Sequence, residues 1–128
     1  MWLILQQDQP EDFVISTGVT TPVRDFIRMA FREVGVELNF EGEGVDERGI
    51  VASSSNPEYA FKIGQVVVQI DPAYFRPTEV DLLIGDNTKA KTKLGWTPKY
   101  TLDMLVKEMM EADLAIFQKE KYLKNYNQ

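Results

Sequence analysis

The sequence predicts an α/β protein, because a strand-turn-helix unit lies near its start, short strands fill its middle and helices lie near its end. Its 128 residues are the size of one domain. With 44% apolar and 27% charged residues, the chain has the composition of an ordinary folded protein. A chain of this length buries roughly two thirds of the surface that it exposes when unfolded, so we expect a hydrophobic core.

The clearest local signal is the βα unit. Residues 13–17 form a short apolar run without clean alternation, which predicts a buried, parallel strand. Thr21 as N-cap and Pro22 as the first helical residue then begin a helix that Gly35 ends. Its apolar residues recur at helical spacing and predict one buried face, formed by Val23, Phe26, Ile27, Ala30, Phe31 and Val34.

Further elements are shorter, except for the last. Strands are predicted at 36–40, 48–53, 65–70 and 82–84, with a hairpin turn at 41–44. Asp86 is predicted to cap a short helix that ends at Gly95, and Thr101 to cap the longest helix, which ends near Tyr122. We expect the inward residues of that long helix to be Leu102, Leu105, Val106, Met109, Ile116 and Phe117.

The composition argues against several classes of function. The chain has no Cys and no His, which excludes disulfides, thiolate or imidazole metal sites and a Ser-His-Asp triad. Its net charge of −6 argues against binding a nucleic-acid backbone. No segment approaches the ~20 apolar residues of a membrane span. Residues 1–5 are apolar but lack the basic flank of a signal peptide, so we expect a cytoplasmic protein.

Two charged clusters are predicted to be solvated surface. The acidic cluster at 41–47 lacks the ligand spacing of a calcium-binding loop. Lys89, Lys91 and Lys93 are spread around a short helix instead of forming one stripe. The sequence also contains neither G-x-G-x-x-G nor a P-loop, so it has no recognisable dinucleotide or phosphate cradle.

The segment 74–80 is a better candidate for a binding site. Pro77 fixes one backbone torsion and biases Arg76 towards an extended conformation. Glu79 follows Pro77 by two residues. An Arg fork donates to phosphate oxygens and a carboxylate accepts from two hydroxyls, so the pair suits a ligand with a phosphate and a neighbouring diol. On the residues alone, a local Arg76–Glu79 ion pair at the surface is the favoured interpretation.

Over nearly its whole length the chain resembles the C-terminal portion of the GDP-mannose 4,6-dehydratase family, a branch of the extended short-chain dehydrogenases/reductases. The match includes the stretch 71–80, and within it 74–80, Tyr-Phe-Arg-Pro-Thr-Glu-Val, is specific to this branch. The stretch 94–98, Leu-Gly-Trp-Thr-Pro, is shared by nucleotide-sugar enzymes more widely. Other matching stretches are 6–18, 23–26, 39–42, 44–45, 49–51, 83–86 and 89–90.

The resemblance implies an NADP-dependent lyase that converts GDP-mannose to GDP-4-keto-6-deoxy-mannose and water, a step towards GDP-fucose. It also implies that the cofactor fingerprint and the catalytic residues lie in a Rossmann domain that is largely missing here. We therefore expect a small mixed α/β substrate-binding domain at 13–122, preceded by a helix remnant and linker at 1–12 and followed by a flexible tail at 123–128. Alone it should neither bind NADP nor turn over substrate.

The resemblance also implies residue roles, which we carry over position by position. Arg76 is expected to hold the diphosphate of GDP and Glu79 its ribose hydroxyls, with Tyr74 lining the same pocket. Arg24 matches a family position near the start of a helix, where an anion site and a plain surface arginine are equally compatible. No catalytic or metal-ligating residue is expected in this chain.

Two alternatives remain open on the sequence. One is a fragment of another nucleotide-sugar epimerase, dehydratase or reductase, against which the stretch 74–80 argues. The other is a ligand-free interaction domain that uses its long amphipathic helix. For the parent enzyme the resemblance implies a homo-oligomer, either a dimer or a tetramer, and it implies no nucleic-acid or membrane partner.

Overall fold

The computed structural model of the chain describes residues 1–59, 61–78 and 83–126. The chain divides into two compact units. The smaller unit comprises Met1–Thr21 and Val80–Thr101, and the larger unit comprises Pro22–Glu79 and Leu102–Gln128. The boundaries expected from the resemblance, at 1–12, 13–122 and 123–128, stay a prediction.

The larger unit is built on a three-stranded antiparallel sheet in the order β1-β2-β3. The strands are β1 (Val36–Glu41), β2 (Arg48–Ser54) and β3 (Val66–Gln69). Val36 pairs with Ser54 at one end of the hairpin, and Glu41 pairs with Arg48 at the other. The three middle strands and the hairpin turn predicted from the sequence are therefore confirmed.

Two helices supply the rest of the core, one that precedes the sheet in the sequence and one that follows it. Helix α2 (Val23–Glu33) begins one residue after the predicted start, and α4 (Leu102–Tyr126) follows Thr101 as predicted. Alternate residues of β1 are buried, as expected for a strand with one face on the core. The buried cluster consists of Val34, Val36, Leu38 and Val51, with Ile27, Phe31, Phe40, Tyr59, Phe61, Val67, Val68, Met110 and Leu114 packed against it.

Gly35 joins α2 to β1 with a φ of +76°, a conformation that favours glycine. A Cβ atom at this position would also lie 2.6 Å from the Ser55 hydroxyl oxygen. The glycine thus allows the helix to end and the chain to reverse directly into the buried strand.

The predicted inward face of α4 was only partly right. Leu102 is half-buried and Val106 is buried, but the sequence-predicted Leu105, Met109, Ile116 and Phe117 are exposed. The core instead uses residues four apart, continuing from Val106 to Met110 and Leu114. Periodicity alone could not choose between these stripes, because α4 carries apolar residues over more than one face. The helix also continues to Tyr126, four residues past its predicted end.

The smaller unit contains two short helices and no strand among its described residues. They are α1 (Trp2–Leu5) and α3 (Thr88–Leu94). The strand predicted at 13–17 was wrong, and Leu83 and Ile84 do not form the strand predicted at 82–84, whose Leu82 lies outside the described residues. A parallel strand needs a neighbour that pairs with its backbone groups, and the described residues provide none.

Side chains, rather than a ladder of backbone bonds, tie the segments of the smaller unit together. The Ser16 hydroxyl donates to the Gly85 carbonyl at 2.7 Å, and the Asn87 side-chain amide donates to the Ser16 carbonyl at 2.6 Å. A Cβ atom on Gly85 would lie 2.7 Å from that of Ser16, so only glycine permits this approach. None of the helices in the described part of the chain is long and apolar enough to cross a membrane.

Candidate functional site

A cavity of about 300 Å³ lies in the larger unit, where the first turn of α2 meets the sheet. Its walls are mostly apolar, and the charged residues among its described lining are one arginine and one glutamate. The lining residues are Pro22, Val23, Arg24, Ile27, Phe40, Glu47, Val68 and Ile70.

Arg24 is held in this wall by two contacts. Its guanidinium forms an ion pair with the Glu47 carboxylate, and its Cζ lies 5.7 Å from the centre of the Phe40 ring. Arg28, one turn further along α2, lies 4.9 Å from the same ring centre and forms an ion pair with Asp25 at 2.8 Å. A cation over an aromatic face is attracted by the ring quadrupole, so Phe40 helps to fix both arginines.

Glu47 reaches Arg24 because of the chain path between β1 and β2. Gly42 has a φ of +85° and starts the turn, and the 3-10 turn Gly44–Asp46 then delivers Glu47 to the cavity wall. The Glu47 side chain is only 17% exposed. The prediction that the acidic cluster at 41–47 is simply solvated was therefore wrong for this residue.

The predicted binding loop leaves from the same cavity wall. Ile70 lines the cavity, and Asp71 then shapes a tight turn: its carbonyl accepts from the Tyr74 N–H at 3.0 Å and its carboxylate from the Ala73 N–H at 2.9 Å. The Phe75 ring lies close to Gly44, since a Cβ atom there would be 3.7 Å from Phe75 Cζ. The loop is thus anchored on both sides of its turn.

Tyr74 and Arg76 project from this loop into solvent. Tyr74 is 84% exposed, and Arg76 is exposed as well. Neither lines the cavity. Within residues 1–59, 61–78 and 83–126, Arg76 forms no hydrogen bond or ion pair. Glu79 lies outside the described residues, so its predicted pairing with Arg76 or with a ribose is not tested.

The structure therefore brings one predicted residue, Arg24, into a cavity, and places two others, Tyr74 and Arg76, on the loop that leaves that cavity. Sequence reasoning missed Phe40 and Glu47. The alternation of β1 was a signal for Phe40, but nothing local in the sequence indicates that Glu47 meets a residue 23 positions earlier. No group of Asp and Glu side chains among the described residues is arranged to hold a metal ion.

Comparison with known proteins identifies the family. The family model described as GDP-mannose 4,6 dehydratase matches residues 1–109. The chain belongs to the GDP-mannose 4,6-dehydratase family.

Several relatives named GDP-mannose 4,6-dehydratase match almost the whole chain. One from Vibrio cholerae is 56% identical over 96% of this chain and 33% of its own length. One from Yersinia enterocolitica is 50% identical over 88% of this chain and 31% of its own length, and one from Homo sapiens is 45% identical over 91% and 29%. The chain thus spans about a third of the length of the curated relatives it matches.

Membership of this family confirms the resemblance noted in the sequence. The mixed α/β fold with a small sheet confirms the predicted fold class. The roles expected for Arg24, Tyr74, Arg76 and Glu79 are not tested by the match, because it covers the chain as a whole.

Proposed function

We propose that this chain supplies part of the nucleotide-sugar site of an enzyme that dehydrates GDP-mannose to GDP-4-keto-6-deoxy-mannose. The family match carries the proposal. The cavity at the start of α2 and the exposed arginine on the loop that leaves it support it, since a nucleotide sugar requires a shaped pocket and a fixed cation for its phosphates.

Arg76 is the residue proposed to bind the diphosphate. Its guanidinium has no partner among the described residues, while Arg24, Arg28 and Arg32 are each ion-paired. Pro77 restricts the backbone next to it, and the Asp71 turn fixes the start of the loop. An arginine that needs no release from a carboxylate binds an anion without first losing an existing interaction.

Glu79 and Tyr74 are proposed to bind the nucleoside part of the ligand. Glu79 follows Arg76 by three residues and would accept hydrogen bonds from the two ribose hydroxyls. Tyr74 offers an exposed ring and hydroxyl on the loop that carries Arg76. Arg24 is proposed as a secondary phosphate contact, weaker than Arg76 because Glu47 already neutralises it.

NADP, which the resemblance implies for the whole enzyme, does not fit the described residues of this chain. They contain no strand that leads through a glycine-rich turn into a helix, which is how a dinucleotide pyrophosphate is usually bound. We therefore assign no reaction step to this chain. A role of the product in GDP-fucose formation stays a prediction from the resemblance. A cytoplasmic location stays a prediction from the features of the sequence.

Calorimetric titration of the chain with GDP tests the proposal. We expect saturable binding that Arg76→Ala weakens by about tenfold or more and that Arg76→Lys restores in part, because a lysine keeps the charge but not the fork. Arg32→Ala is the matched control, because Arg32 lies at the other end of α2 and pairs with Glu37 at 3.0 Å. Equal affinities for all four proteins, or no binding at all, would contradict the proposal.

A competition series separates this family from other nucleotide-sugar enzymes. GDP should displace a bound guanine nucleotide analogue at lower concentration than UDP or dTDP does. Equal displacement by all three would mean that the chain recognises the diphosphate but neither the base nor the 2′-hydroxyl, which dTDP lacks.

A further inference from the structure

We propose that α4 is a self-association element, which pairs antiparallel with α4 of a second copy of this chain. The proposal begins with the spacing of one set of residues along the helix, here called the seam. Its members are separated alternately by three and four positions over the whole helix, which is the heptad spacing of coiled coils. They are Leu102, Leu105, Met109, Ala112, Ile116, Lys119, Leu123 and Tyr126.

Beyond the half-buried Leu102, the seam is distinct from the face that α4 turns to its own core. The core contacts come from Val106, Met110 and Leu114, which follow a spacing of four. In the seam, by contrast, Leu105, Met109, Ile116 and Leu123 remain between 45% and 55% exposed. An apolar stripe of this length that the described residues leave exposed is typical of a protein interface. The helix is about 37 Å long, so the stripe is long enough for a stable helix pair.

The distribution of charge along α4 favours a second copy of the same helix as the partner, and an antiparallel orientation of the two helices. Residues 102–113 contain four acidic side chains and one lysine, whereas residues 114–126 contain three lysines and one glutamate. Interaction with the helix dipole extends only over the first and last turns, so it does not account for Glu108, Glu111 and Asp113. An antiparallel pair of identical helices places each acidic half against a basic half. A parallel pair places like charges together.

The single charged residue within the seam favours the same arrangement. In a parallel pair Lys119 faces its own copy across the seam. In an antiparallel pair with full overlap, Leu102 lies opposite Tyr126, Leu105 opposite Leu123 and Lys119 opposite Met109. Lys119 then comes next to Glu108, and the small Ala112 faces Ile116, which lets the helices approach closely.

Sedimentation equilibrium of the whole chain over a concentration series tests the association. We expect a monomer–dimer equilibrium whose dissociation constant rises about tenfold or more in Ile116→Glu. The control is Phe117→Glu, because Phe117 is the next residue, is 65% exposed and lies off the seam. It should leave the dissociation constant unchanged, and circular dichroism should show that both variants keep their helix. A monomer at every concentration would overturn the proposal and would mean that another protein surface covers this face. Equal effects of the two variants would also overturn it.

Cysteine cross-linking tests the direction, and the absence of native Cys gives a clean background. Under oxidation, Leu105→Cys mixed with Leu123→Cys should give a disulfide-linked heterodimer, since these positions are opposite in the antiparallel pair. Each variant alone should cross-link several-fold less. Efficient cross-linking of Leu105→Cys with itself would indicate parallel helices and overturn the antiparallel arrangement.

Discussion

Arg24, in the first turn of α2, forms an ion pair with Glu47, the residue that follows the 3-10 turn between β1 and β2. The pair closes one wall of the cavity and connects the helix to the hairpin. It also neutralises a cation that a phosphate group would otherwise attract. Any contribution of Arg24 to ligand binding must therefore compete with Glu47.

Removing the negative charge of Glu47 should strengthen GDP binding. Glu47→Gln keeps the shape of the side chain but frees the Arg24 guanidinium to attract a phosphate, so we expect the dissociation constant measured by calorimetry to fall by about three- to tenfold. Glu37→Gln is the matched control, because it releases Arg32 at the far end of the same helix. If Glu47→Gln and Arg24→Ala both leave the affinity unchanged, Arg24 serves only the fold.

Gly49 is predicted to be intolerant of any side chain. A Cβ atom there would lie 2.8 Å from the Cβ of Val68 and 3.4 Å from Cε1 of Phe40. Because both neighbours line the cavity, Gly49→Ala should destabilise the chain by about 1–3 kcal/mol in urea unfolding and also weaken GDP binding. Ser53→Ala, at an exposed position of the same strand, should change stability by less than about 0.5 kcal/mol. Equal unfolding midpoints for the two variants would contradict this prediction.

The parts of the fold that the sequence predicts are those with local causes. The hairpin of β1 and β2 follows from alternation and a glycine-rich turn, and α2 follows from its apolar spacing and Gly35. Its start differs by one residue, because Pro22 and not Thr21 is the N-cap, without a side-chain cap hydrogen bond. Each of these signals lies within the element that it specifies. The turn at Asp71 also has a local cause, since Asp and Pro are turn-forming residues, and it follows the strand predicted to end at residue 70.

What the sequence did not predict depends on neighbours far along the chain. Residues 13–17 have the composition of a buried strand, but in the described residues no second strand pairs with them. In α4 the core selects one of two apolar stripes, a choice made by packing and not by helix propensity. The Arg24–Glu47 ion pair joins two distant segments, and the sequence of each segment alone predicts only an exposed, solvated side chain.

The buried Asn87 should be essential to the smaller unit. It is only 5% exposed, and its amide nitrogen donates to the Ser16 carbonyl at 2.6 Å. Asn87→Asp replaces that donor with an acceptor facing an acceptor, so we expect a loss of about 1–3 kcal/mol of local stability. Faster hydrogen exchange in residues 83–95, measured by mass spectrometry, would show this loss of local stability.

Asn56→Asp provides the matched control for this substitution. Asn56 uses its side-chain oxygen to accept from the Glu58 N–H at 3.0 Å, and an aspartate keeps that acceptor. It should therefore leave exchange around residue 56 unchanged. If Asn87→Asp also leaves hydrogen exchange unchanged, the hydrogen bond to Ser16 does not stabilise the smaller unit.

Glu11 should make the stability of the smaller unit dependent on acid pH. Hydrogen bonds from Lys93 and then Lys89 lower the pKa of Glu11 from 4.5 to about 2. The Lys93 ammonium lies 2.6 and 2.7 Å from the two carboxylate oxygens, and that of Lys89 lies 2.9 Å from one of them. Because the folded pKa is below the unfolded one, the stabilisation is complete above pH 4.5 and is lost as the pH falls towards 2.

Hydrogen exchange of α3 between pH 6 and pH 2, in the wild type and in Glu11→Gln, measures this contribution. The wild type should be better protected near pH 6, and the difference between the two proteins should disappear as Glu11 is protonated. Hydrogen bonds from Thr88 also lower the pKa of Asp86, but Asp86 is present in both proteins and cancels in the difference. Added salt should reduce the difference at pH 6, since all three partners are partly exposed. A difference that stays constant down to pH 2 would show that the substitution acts through packing and not through the charge of Glu11.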